Sequence, residues 1–144
     1  MAKHSTDKVV ILKIRKYLSY LGQVYAVIKD LDTETLQDEL LAYAAAQLIT
    51  NLKECFDMIQ SDDIQERYKL LRKPSIVRIR NISAHDYEAL NWEIVKSGCG
   101  ELIRFFGQKD YHDETLRLIE KEDESEIKRE LRESLEFQKS KTKE

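Results

Sequence analysis

Thr6 to Asp30 reads TDKVVILKIRKYLSYLGQVYAVIKD, and its apolar residues recur at helical spacing. Val10, Leu12, Ile14, Leu18, Leu21, Val24, Val27 and Ile28 form a broad stripe down one side of a single long helix. Asp30-Leu31-Asp32-Thr33 then reads as a connection, with Thr35 and Asp38 at capping-box spacing for a second helix. That helix, running to about Gln60, carries Leu40, Leu41, Tyr43, Ala44, Leu48, Leu52, Cys55, Phe56 and Ile59. Ala44-Ala45-Ala46 at its middle offers small side chains where another helix can come close. Two antiparallel helices of this kind are the expected spine of the molecule.

Composition agrees with that spine. The chain has 144 residues, enough for one domain with a real core. It uses four glycines and one proline, and 35% of its residues are charged. Few turn formers among many Glu, Lys, Leu and Ala point to long helices. Ser61-Asp62-Asp63 is expected to cap a short third helix, Ile64 to about Arg72. Pro74 cannot continue it, because it lacks an N–H and holds Lys73 extended, yet it suits the first turn of a fourth helix. There Ile76, Val77 and Ile79 would face the core. Asn91 reads as the N-cap of a fifth helix, Trp92 to Phe106, closed by Gly107. Gly98 and Gly100 inside it mark either close helix packing, within the chain or across a dimer, or a break at Ser97; close packing is the favoured reading. The fold class is therefore all-α: an antiparallel helical bundle of about four to five helices with a charged C-terminal helical tail. Residues 1–110 form the bundle. Residues 111–144 form the tail, in the same domain or loosely attached, with Leu116, Ile119, Ile127, Leu131 and Leu135 sparse among charges. The tail is expected to be dispensable for chemistry and frayed from Gln138 onward.

Several functions are disfavoured at this level. No apolar run approaches the roughly 20 residues that span a bilayer, and the N-terminus lacks the apolar core of a signal peptide. Cys55 and Cys99 stand 44 residues apart with no Cys-x-x-Cys or Cys/His cluster. Both read as reduced, buried thiols of a cytoplasmic protein, with no metal site and no cofactor. The net charge of −3 argues weakly against a general nucleic-acid binder. Distribution matters more: Arg67, Lys69, Arg72, Lys73, Arg78 and Arg80 lie in a segment without a single acid. Arg72, Lys73 and Arg78 suit a phosphate-bearing ligand; Arg67 and Lys69 read better as a solvated helix face.

That segment runs into Arg80-Asn81-Ile82-Ser83-Ala84-His85-Asp86-Tyr87. Of three histidines (His4, His85 and His112), only His85 lies in strongly apolar-patterned sequence. An imidazole moves protons near neutral pH, and a guanidinium grips phosphate oxygens through a planar fork. Together they suffice to cleave a phosphodiester without metal. On an unbroken helix Arg80 and Tyr87 lie about 20° apart, whereas Arg80 and His85 lie about 140° apart. Either the Arg side chain swings round or the helix loosens near Ser83-Ala84. Asn81 either contacts phosphate, fixes the imidazole tautomer or satisfies the helix end. Asp38, Glu39, Glu54 and Asp57 are acids of the second helix within possible reach, and nothing selects one.

Arg80-x4-His85-x-Tyr87, with Asn81 after the Arg and the apolar Trp92-Glu93-Ile94-Val95 stretch beyond, resembles the signature of the HEPN superfamily, most closely its HepT-like toxin branch. The resemblance covers about Asp7 to Phe106 and leaves the charged tail unexplained. It implies a metal-independent endoribonuclease, the toxin of a pair whose antitoxin is a minimal nucleotidyltransferase. It assigns catalysis to Arg80, His85 and Asn81, and RNA as substrate. It also implies that Tyr87 is the site of AMP modification by the nucleotidyltransferase; otherwise Tyr87 is a half-buried anchor of the helix end. One motif supplies one imidazole, whereas 2′-OH attack needs an acid and a base. A two-fold homodimer would supply both. The alternative is a non-catalytic HEPN partner of a nucleotidyltransferase that presents substrate or nucleotide. A plain helical dimer with an incidental motif is the third reading.

Overall fold

The computed structural model describes residues 3–32, 40–83, 91–108 and 110–142. Every element among them is helical: α1 (Lys3–Ile28), α2 (Leu40–Asp57), α3 (Asp62–Arg67), a 3-10 turn (Lys69–Arg72), α4 (Pro74–Ser83), α5 (Trp92–Phe106) and α6 (Tyr111–Thr142). The all-α bundle read from periodicity is the fold observed.

α1 and α2 are the spine and run antiparallel. Asp7, near the start of α1, reaches the backbone just past the end of α2: its two carboxylate oxygens accept from Gln60 N–H at 2.8 Å and Ser61 N–H at 3.0 Å. Asp7 is fully buried there. Ser61 is the N-cap residue of α3 as expected, yet its hydroxyl makes no capping bond. A carboxylate from another helix takes up the corner's N–H groups instead. At the middle of α2, Ala42, Ala45 and Ala46 are wholly buried, the close approach that small side chains permit.

The buried arc of α1 differs in detail from the expected stripe. Val10, Ile14, Leu18, Leu21 and Ile28 are core residues, but Leu12 is 45% and Val27 54% exposed, and Ile11 is buried in their stead. α1 also packs against α5 and α6, not α2 alone, so its apolar arc turns toward three neighbours. On α2, Leu40 is exposed, Leu41, Tyr43, Ala44 and Leu48 are half-buried, and Ile49 takes a central place in the core. The expected capping residues Thr35 and Asp38 lie outside the described residues.

Beyond α3 the chain tightens into a 3-10 turn, so the single third helix expected from Ile64 to Arg72 is two short pieces joined at Tyr68. Pro74 opens α4. Ile76 and Ile79 are buried and Val77 is half-buried. Asn91 caps α5, its side-chain oxygen accepting from Glu93 N–H at 3.1 Å and Ile94 N–H at 3.4 Å. The two glycines of α5 mark intrachain contacts, and the helix does not break at Ser97. A Cβ at Gly98 would stand 3.2 Å from Ile79 Cδ1 and 3.3 Å from Ile76 Cδ1; one at Gly100 would stand 2.8 Å from the Tyr25 hydroxyl. α5 thus lies close on α4 by one glycine and on α1 by the other.

α6 begins inside the bundle. Thr115 and Ile119 are fully buried, Arg15 Nη1 of α1 meets Asp113 at 2.9 Å, and Lys8 meets Glu120 at 3.6 Å. From Ile127 to Gln138 its side chains are exposed. No described helix is long and apolar enough to cross a membrane.

Candidate functional site

α4 carries the cationic surface. It presents its apolar side, Ile76 and Ile79, to α2 and α5, which turns the polar residues outward. Arg80 is half-buried on this helix and Asn81 exposed. The Arg80 guanidinium donates through Nη1 to the Asn81 side-chain oxygen at 3.1 Å. Arg80 Nε is buried and has no hydrogen-bond partner among the described residues. A guanidinium fixed in place by a neighbouring side chain can donate its remaining Nη hydrogens to the oxygens of an anionic ligand. Asn81 therefore holds the guanidinium itself, a use that neither the phosphate nor the tautomer reading anticipated. His85 and Tyr87 lie outside the described residues, as do Asp38 and Glu39.

The other cations separate into two groups. Arg72 and Arg78 are exposed and make no ion pair among the described residues. Lys73 is tied to Glu101 of α5 at 2.6 Å, so its charge is shared with α5. Arg67 is neither a ligand-facing group nor a solvated face. Its Nε donates to the Thr115 hydroxyl at 2.8 Å, an Nη donates to the Tyr111 carbonyl at 3.2 Å, and the guanidinium lies 4.4 Å from the Tyr111 ring centroid. Lys69 pairs with Glu66 on the surface. Of the remaining acids, Glu54 is exposed and Asp57 is paired with Lys53.

His112 is 5% exposed, a burial that its charged sequence surroundings conceal. Its Nε2 donates to the Phe106 carbonyl at 3.2 Å, so in the neutral ring Nδ1 accepts from the Tyr68 hydroxyl, 2.9 Å away. The Tyr68 ring lies nearly parallel to both His112 and Phe106, whose own centroids are 6.1 Å apart, so the three rings form a cluster. Burial raises the Tyr68 phenol to about 12. Burial also lowers the His112 imidazole below its ordinary value, against the opposing pull of the Phe106 carbonyl. The unfolded chain then binds a proton that the folded chain refuses. The stability this burial contributes is full above the ordinary value of about 6.5 and declines as pH falls below it. Thermal melting should therefore show wild type losing more stability between about pH 7.5 and pH 5 than His112→Phe, which has no imidazole to charge. Equal losses in the two proteins would remove His112 from the account.

Cys55 and Cys99 are free and buried, and burial pushes the Cys99 thiol up to about 12. Neither is a nucleophile near neutral pH. No group of three or more His, Cys, Asp or Glu side chains among the described residues is arranged to hold a metal ion.

Fold and site together define an all-helical bundle protein that displays a guanidinium-bearing helix on its surface. The family model described as "Ribonuclease HepT-like" matches residues 11–109, a span that includes α4 and the sequence Arg80 to Tyr87. The chain belongs to the HepT-like family. Its matched span ends just before α6 begins. No curated protein and no solved structure matches the chain.

Proposed function

We propose that this protein is a metal-independent endoribonuclease, the toxin of a HEPN/minimal nucleotidyltransferase pair, acting as a homodimer. The observation that carries the reading is the family match across residues 11–109, which contains Arg80-x4-His85, combined with the half-buried Arg80 whose Nε lacks a partner among the described residues.

In this reading one neutral His85 removes the proton from a ribose 2′-OH, and the 2′ oxygen attacks the adjacent phosphorus. The phosphorus–O5′ bond breaks as the protonated imidazole of the partner's His85 gives its proton to the departing O5′. The products are a 2′,3′-cyclic phosphate and a 5′-OH end. Arg80 neutralises the charge that grows on the equatorial oxygens, and Asn81 keeps its fork aimed. Arg72, Lys73 and Arg78 attract the neighbouring phosphates. Tyr87, two residues beyond His85, is the group on which the nucleotidyltransferase places AMP; the added phosphate would repel RNA from the cationic helix.

The test is RNA cleavage by the purified chain in EDTA, wild type beside His85→Ala, with the product ends analysed. Cyclic-phosphate ends from wild type alone support the reading. Intact RNA after incubation with folded, dimeric wild type overturns it in favour of a non-catalytic partner that clamps phosphate.

A further inference from the structure

A solvent-open cavity of about 270 Å³ lies where α5 ends beside the 3-10 turn, lined by Leu70, Glu101, Arg104 and Phe105. Phe105 and Phe106 are adjacent on α5, yet Phe106 is buried in the core and Phe105 is 50% exposed. The Phe105 ring meets Phe106 at 4.9 Å and Tyr111 at 6.0 Å, both edge-on. It is braced from behind and open in front. The rim is cationic. Arg104, in the lining, is exposed and has no ion pair among the described residues. Glu101, the one acid among the described lining residues, is neutralised by Lys73 at 2.6 Å.

The cavity is in register with Arg80. Gly98 of α5 faces Ile76 and Ile79 of α4, and Glu101, one turn further on, meets Lys73 at the start of α4. The two helices therefore run in opposite directions, and the cavity sits at the N-terminal end of α4. Lys73 immediately precedes α4 in extended backbone, and Arg80 lies seven residues on, roughly 10 Å away along the helix axis. A single strand with a phosphate on Arg80 reaches the cavity within roughly a nucleotide or two.

An exposed aromatic ring in a cationic depression is the arrangement on which single-stranded nucleic acid stacks its bases. We propose that this cavity is a nucleobase subsite: Phe105 stacks a base of single-stranded RNA while Lys73 and Arg104 hold the flanking phosphates. The inference rests on the ribonuclease reading above and adds the group that grips the strand away from the scissile bond. The cavity is smaller than the roughly 300–1,000 Å³ typical of sites that enclose a whole ligand, which suits one base with its sugar and phosphates left in solvent.

The experiment compares two probes on the full chain by fluorescence anisotropy. One is a short single-stranded 2′-O-methyl RNA, which binds but has no nucleophile and stays uncut. The other is an abasic sugar-phosphate strand of the same length. Phe105→Leu, which keeps apolar bulk and loses the ring, should weaken the base-bearing strand about tenfold and leave the abasic strand unchanged; Phe105→Trp should retain wild-type affinity. Undiminished binding of the base-bearing strand by Phe105→Leu overturns the subsite and leaves the ribonuclease reading standing. Equal loss on both strands also overturns it, since stacking cannot act on a strand without bases. Failure of wild type to bind either probe overturns subsite and ribonuclease together.

Discussion

Arg80→Ala is expected to lower RNA cleavage by about a hundredfold to a thousandfold, the cost of losing a donor aimed at charge that develops in the transition state. The size follows from how the group is held. Its Nη1 is anchored to Asn81 at 3.1 Å, and its Nε is buried without a partner among the described residues. The remaining Nη hydrogens of the anchored guanidinium are the ones that donate to phosphate oxygens. Arg80→Lys separates charge from shape. Lysine brings the same positive charge as a point rather than a fork, and it cannot keep both the Asn81 bond and a two-pronged grip on phosphate. It should recover only part of the lost rate. Asn81→Ala should act more weakly, lowering the single-turnover rate while leaving substrate affinity nearly unchanged, because the charge remains and only its aim is loosened. Full activity in Arg80→Ala, with circular dichroism showing a folded bundle, would place the chemistry elsewhere. Full activity in Arg80→Lys would mean that charge alone suffices.

The difference between Arg80 and the other cations of its segment shows where sequence reading reaches its limit. Arg67, Lys69, Arg72, Lys73, Arg78 and Arg80 form one acid-free run, in which sequence set apart only Arg67 and Lys69, as a solvated helix face. What separates them is which distant residue each one meets: Thr115 and Tyr111 for Arg67, Glu101 for Lys73, and no ion pair among the described residues for Arg72 and Arg78. None of those partners is within a helical turn of its cation, so no local pattern announces them. The Asn81 bond to Arg80 is the opposite case, because its partners are neighbours, and adjacency was already visible.

The same division runs through the fold. Element type was legible because it depends on short-range periodicity, on Pro74 at the head of α4 and on Asn91 at the head of α5. Which side of an element turns inward was less so. Val9-Val10-Ile11-Leu12 is continuously apolar, and a run without polar residues carries no phase. Only the combined positions of α2, α5 and α6 around α1 decide that Val10 and Ile11 are buried while Val9 and Leu12 are exposed. Phe105 and Phe106 pose the same problem: neighbours lie about 100° apart on a helix, and two adjacent rings do not say which of them turns inward. His112 was concealed because Tyr68, which bonds its ring, lies 44 residues earlier.

Asp7 is the long-range contact with the largest expected effect on stability. Asp7→Ala leaves the Gln60 and Ser61 N–H groups without their acceptors at a buried corner, and each such loss costs about 1–3 kcal/mol. A total of about 2–4 kcal/mol is expected, readable as a fall in the chemical-denaturation midpoint. Asp7→Asn tests the mechanism more sharply. The two N–H groups are taken by two different carboxylate oxygens, Gln60 by Oδ1 and Ser61 by Oδ2. An amide has one acceptor oxygen, so asparagine satisfies one N–H and turns its own NH2 donor toward the other. Asn should therefore be nearly as destabilising as Ala despite its identical shape, whereas Asp7→Glu keeps both acceptors but pushes an extra methylene into a fully buried site. An Asn variant as stable as wild type would show that the corner needs only one acceptor. A destabilised Asn variant would establish that the carboxylate, with both oxygens engaged, fastens the start of α1 to the corner between α2 and α3. That fastening matters beyond stability: the corner leads through α3 and the 3-10 turn into α4, so the helix that carries Arg80 is positioned from a residue 73 places earlier in the chain.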